Sequence, residues 1–88
     1  MFRLWGKCIK NNRLVRDLII TESDFRKSRT QMVLDALTEL CHSFDLAEPI
    51  WLDANIDEFR RLSHTRFRQD NFIETLDFDY LEIRVIEE

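Results

Sequence analysis

The sequence predicts an α+β fold in a single domain spanning residues 1–88: an N-terminal β-hairpin, one main amphipathic helix and a C-terminal strand in a mostly antiparallel sheet, with a short extra helix. Three observations lead there. Two apolar-rich runs flank Asn11-Asn12, a helical stripe extends from Val33 to Phe44, and Leu81, Ile83 and Val85 alternate with Glu82, Arg84 and Ile86 near the end of the chain. Length agrees with one domain, because 88 residues and 10.7 kDa supply one modest core. The composition, 44% hydrophobic with one glycine and one proline, excludes collagen-like, low-complexity and disordered chains.

The hairpin comes first. Residues 2–10 and 13–21 read as strands, and asparagine tolerates the left-handed backbone that a two-residue type I′ turn requires at both positions. Carried along the strands without interruption, that turn sets Ile9 against Leu14, Trp5 against Leu18 and Lys7 against Arg16. The last is a like-charge pair, unfavourable unless an acid or anion lies between. Both hairpin faces hold apolar residues, so one is expected to meet a helix and the other to be only partly covered. Gly6, lacking a side chain within a strand, signals a bulge or a close approach by another group.

Residues 22–29 read as a polar loop, and Ser28-x-x-Gln31 has the spacing of a capping box. The helix that follows carries Val33, Leu34, Leu37, Leu40, Cys41 and Phe44 on its stripe and is expected to end near Asp45–Leu46, before Pro49. Ile50-Trp51-Leu52 reads as a brief strand. Asn55-x-x-Glu58 fits a second N-terminal cap, followed by Ile56, Phe59 and Leu62 at helical spacing. Within 65–75 a short helical turn around Asn71–Glu74 is expected. Leu76, Phe78 and Tyr80 alternate out of phase with Leu81, Ile83 and Val85, which calls for a bend near Asp79–Tyr80. The last strand is expected to pair with the hairpin, and, holding no proline, also reads as a sheet edge that a partner or a second copy can extend.

Function is approached first by exclusion. Cys41 lies on the apolar stripe and Cys8 in an apolar strand, so both read as inert core thiols; His42 points away from Cys41 around the helix. Cys8, Cys41, His42 and His64 include no pair at a recognised metal spacing. A single glycine leaves no phosphate-binding glycine loop. The acids at 53 and 57 read as helix entry, and those at 77 and 79 as a solvated edge. The expectation is therefore no enzyme, no cofactor, no metal and, with no long apolar run, no membrane span. Few cysteines and no signal-peptide run point to the cytoplasm.

The net charge of −4 hides segregated blocks. Residues 1–16 carry five cations and no acid, and 60–69 carry four arginines and no acid, while 17–59 and 70–88 are acidic. Such blocks neutralise each other within a fold or across an interface. The stretches Arg3-Leu4-Trp5-Gly6-Lys7, Pro49-Ile50-Trp51-Leu52-Asp53 and Arg68-Gln69-Asp70-Asn71-Phe72-Ile73 together resemble a family of small uncharacterised bacterial proteins with no known activity. The resemblance covers most of the chain and implies a bacterial, cytoplasmic origin but no catalytic or binding residue.

The expectation from the residues is a small protein-binding module of adaptor, regulatory or inhibitory kind, with Trp5 and Trp51 as anchor residues and a homodimer as one form of that binding. The alternative is a nucleic-acid-binding module using the basic-aromatic segment 60–72, where Arg60, Arg61, Arg66 and Arg68 would neutralise phosphates and Phe67 would stack a base. Net negative charge and the absence of any nucleic-acid-binding signature weigh against the alternative.

Overall fold

A computed structural model describes residues 1–88. Strands β1 (Phe2–Lys10) and β2 (Arg13–Glu22) form the hairpin, followed by helices α1 (Arg29–Ser43) and α2 (Asp53–Leu62), strand β3 (His64–Phe67) and strand β4 (Tyr80–Glu87). The four strands make one antiparallel sheet in the order β2-β1-β4-β3. The C-terminal strand therefore pairs with β1 and lies inside the sheet, and the edges are β2 and β3. The fold is the expected α+β, with helices on one face of the sheet and the other face open.

The turn is as the asparagines predict, with φ of 52° at Asn11 and 62° at Asn12. The register beyond it is not. Ile9 pairs with Leu14, but Cys8 pairs with Arg16, so Val15 is an extra residue with no opposite number. This bulge slides β2 by one position and places Lys7 against Asp17. The like-charge pair of the uninterrupted hairpin is replaced by an attractive one.

Helix α1 starts with half of the expected capping box: the Ser28 hydroxyl accepts the Gln31 N–H at 3.1 Å, while the Gln31 side-chain amide donates to Asp35 at 2.6 Å rather than returning to the cap. It ends at Ser43, and Asp45 takes φ of 55° while Leu46 N–H reaches Cys41 O at 2.9 Å and Asp45 N–H reaches His42 O at 3.2 Å. These two bonds make a Schellman motif. Helix α2 begins two residues before the expected cap. Asn55 lies inside its first turn, where its Oδ1 accepts the Leu52 N–H at 3.2 Å.

Residues 50–52 form no strand, because the Ile50 backbone is bound to the main chain and side chain of a single residue, Asn71, rather than to a ladder. Ile50 N–H donates to Asn71 O at 2.6 Å, and Asn71 Nδ2 donates to Ile50 O at 2.7 Å. Asn71 Nδ2 also reaches Asn55 Oδ1 at 2.7 Å, and Asn55 Nδ2 donates to Thr65 Oγ1 and to Arg66 O, both at 3.0 Å. Buried Asn55 and Asn71 thus join α2, β3 and the 50–52 segment through fully satisfied amides. The helical turn expected at Asn71–Glu74 falls instead at Gln69–Asn71 as a 3-10 turn, and β3 precedes it.

The core lies between sheet and helices and holds Phe2, Leu4 and Cys8 of β1, Leu81 and Ile83 of β4, Phe67 of β3, and the expected stripe Val33, Leu37, Leu40, Cys41 and Phe44, with Leu34 alone of that stripe left exposed. Phe78 joins this core from the loop before β4, which starts at Tyr80 on the open face, so the phase change falls at residues 79–80. Gly6 is the point of closest approach: a Cβ there would lie 2.1 Å from Leu40 Cδ2. No helix is long and apolar enough to cross a membrane.

Candidate functional site

Two surfaces hold the residues singled out by sequence, one on each side of the sheet. On the open face the pairing lines up Asp17, Lys7, Glu82 and Arg66 across all four strands, alternating in charge. Lys7 Nζ lies 2.9 Å from Glu82, Arg66 Nε 3.1 Å and Arg84 Nε 3.8 Å. The Glu82 side chain is only 6% exposed. Burial is the largest single influence and acts to raise its pKa, but the hydrogen bonds and positive charges of Lys7 and Arg66 together outweigh it and hold the carboxyl below its usual 4.5. Trp5 belongs to this face, its Nε1 donating to Asp17 Oδ2 at 2.9 Å and its ring lying under Lys7 Nζ at 4.1 Å. Tyr80 lies under two guanidinium groups, Arg66 at 4.6 Å and Arg68 at 5.6 Å.

The second surface is a groove of about 300 Å³ between α1 and α2, lined by Arg29, Thr30, Val33, Leu34, Trp51, Ile56, Phe59 and Arg60. Its floor is aromatic. Half-buried Trp51 meets Phe59 edge-on at 5.6 Å between ring centres and Phe67 at 5.0 Å. Leu34 and Ile56 stand exposed on the facing walls. Arg29 lies over the Phe59 ring at 5.5 Å and is tied to Glu88 at 2.6 Å and to the Ser63 hydroxyl at 3.0 Å. Arg61 is held by Asp57 at 3.2 Å, one turn away. Arg60, on the groove side of the same helix, makes no ion pair.

The basic-aromatic segment is therefore divided. Arg60 and Arg61 are on α2 in the helix layer, Arg66 and Arg68 are on the open face, and Phe67 between them is fully enclosed in the core. The two tryptophans are also on opposite sides. Arg29, Leu34 and Ile56 were not singled out by sequence as site residues. Their signal was weak: Leu34 shares the helical spacing of Leu37 and Cys41, and adjacent residues such as Leu40 and Cys41 are both buried, so spacing alone does not tell which residue leaves the sheet face.

Both thiols are buried, and burial pushes Cys41 up to about 12 and raises Cys8. Neither is a thiolate near neutral pH. No group of His, Cys, Asp and Glu is arranged to hold a metal ion. The chain is thus an α+β domain built on one four-stranded antiparallel sheet, covered on one face by helices that leave a groove between them. No family model, curated protein or solved structure matches it.

Proposed function

We propose that the chain is a protein-binding module whose α1–α2 groove takes an apolar side chain of a partner segment that carries carboxylates beside it. One observation supports this most: an apolar groove floored by half-buried Trp51, with Leu34 and Ile56 exposed on its walls and the unpaired cation Arg60 beside it. Covering the floor and the exposed walls at Leu34 and Ile56 removes apolar surface from water, the main source of affinity in such grooves. Arg60 gives direction, because a guanidinium receives a carboxylate through two parallel N–H bonds. Arg29 already holds a carboxylate, that of Glu88, at the same groove. Aromatic and arginine anchors of this kind dominate interface energetics.

The nucleic-acid reading draws less support. Phe67 offers no ring to a base, the four arginines lie in two separate layers, and the open-face rings of Trp5 and Tyr80 are covered by cations.

Selection from a displayed library of random short peptides tests the proposal. Enriched peptides are expected to combine a Leu, Ile, Phe or Trp with neighbouring Asp or Glu. Arg60→Glu and Leu34→Asp should each weaken them by about tenfold or more. Enrichment without an acidic-apolar motif, or binding unchanged in both variants, contradicts it. A parallel titration with single-stranded RNA at low salt distinguishes the alternative: tight binding lost in Arg66→Gln/Arg68→Gln would displace the protein-binding reading.

A further inference from the structure

Strand β2 is the longer edge of the sheet, ten residues against four in β3. Its outer side carries backbone N–H and C=O groups with no strand beside them. Proline is absent from it, and Leu14, Val15 and Ile19 are 51, 56 and 47% exposed. Arg16 lies at this edge over the Phe44 ring at 4.8 Å and makes no ion pair. On the same side of the strand, pairing with core positions of β1, are Leu18, Ile20 and Glu22.

We propose that β2 pairs antiparallel with β2 of a second copy about a two-fold axis at Ile19, joining the two sheets into one. The register follows from self-complementarity. Across a two-fold axis each residue meets its mirror position, and only residues on the same face can be opposite. With Ile19 at the centre, Ile19 meets the partner's Ile19 on the open face and Asp17 meets the partner's Thr21. On the helix-side face Leu18 meets the partner's Ile20, and Arg16 meets the partner's Glu22, each contact occurring twice. Neighbouring registers lose this. A centre at Asp17 sets two carboxylates opposite, a centre at Leu18 sets Arg16 against the partner's Ile20, and a centre at Ile20 sets Leu18 against the partner's Glu22. Glu22 is held by Lys27 at 2.9 Å, and its carboxylate can accept a further donor. The free cation, the acid six residues on, and the exposed isoleucine between them favour a second copy over an unrelated strand.

Sedimentation equilibrium over a concentration series tests association, and cysteine cross-linking tests the register. The wild type is expected at twice the 10.7 kDa chain mass at high concentration. Ile19→Lys should be monomeric with an unchanged circular dichroism spectrum. Under oxidised glutathione, Ile19→Cys should form a covalent dimer, since residues opposite across an antiparallel pair are about 5 Å apart at Cα, within disulfide reach. Thr21→Cys should not, because its twin lies four residues along the partner strand, about 13 Å away. A monomer at every concentration, a dimer that survives Ile19→Lys, or cross-linking of Thr21→Cys equal to that of Ile19→Cys overturns the proposal.

Discussion

Gly6 lies where α1 presses hardest on the sheet. It needs no unusual backbone angle there; what it lacks is a Cβ, and the Leu40 methyl groups occupy that space. Gly6→Ala should therefore cost about 1–3 kcal/mol through overpacking in a region where Leu40 is fully buried. Leu40→Ala alone should cost about 2–5 kcal/mol by leaving a cavity. Combined, the two should cost less than their sum by about 1 kcal/mol, because the added methyl occupies part of the vacated space. Urea unfolding of the four proteins checks this, and simple additivity would contradict the assigned contact. The close approach was legible in the sequence as a lone glycine within a strand. The identity of the neighbour was not, since Leu40 is far along the chain. Trp5 and Trp51 show the same limit: residue type marked both as anchors, but only the packing tells that one caps a charge row and the other floors a groove.

Among the elements, the four-strand row Asp17, Lys7, Glu82, Arg66 ties the sheet together through its open face. Its pH behaviour follows from Glu82. The folded carboxyl titrates below 4.5, so its contribution to stability is complete above the unfolded pKa and is lost as pH falls through the lower folded value. Stability should thus drop below about pH 4.5. Glu82→Gln should lower stability near neutral pH by about 2 kcal/mol, because Lys7, Arg66 and Arg84 lose their shared anion. The variant's deficit relative to wild type should shrink on acidification, since other carboxylates such as Glu22 and Asp35 titrate equally in both proteins. Chemical denaturation from pH 3 to 7 measures it, and a deficit independent of pH would contradict the assignment. Elements with a local code were readable: the Asn-Asn turn, the Ser28 cap and the alternation of β4. The Val15 bulge was not, although the predicted Lys7–Arg16 repulsion signalled that the plain register was wrong. Strand β3 was missed because four residues carry too little alternation to separate a strand from a loop, and its pairing with β4 is long-range.

For the molecule as a whole, one sheet separates two surfaces of different character. The open face is charged and internally paired around Glu82, while the helix layer leaves an aromatic groove with one cation free. The sequence carried the ingredients of the groove, aromatics near position 51 and arginines near position 60, but placed the latter in one continuous basic segment. Folding divides that segment because β3 alternates: Thr65 and Phe67 enter the core, and His64 and Arg66 face outward. The groove also depends on the Asn55–Asn71 amide pair, which fixes the segment holding Trp51 against α2. That dependence spans the helix, the loop and the 3-10 turn, so no local pattern could announce it.

The most direct test of groove binding is a backbone amide chemical-shift map recorded while an acidic-apolar peptide from the display selection is titrated into the wild-type protein and into Arg60→Glu. Shifts concentrated at Val33, Leu34, Trp51, Ile56 and Arg60, and lost in the variant, are the predicted result. Shifts centred on Trp5, Lys7 and Arg66, or a map unchanged by Arg60→Glu, would contradict it.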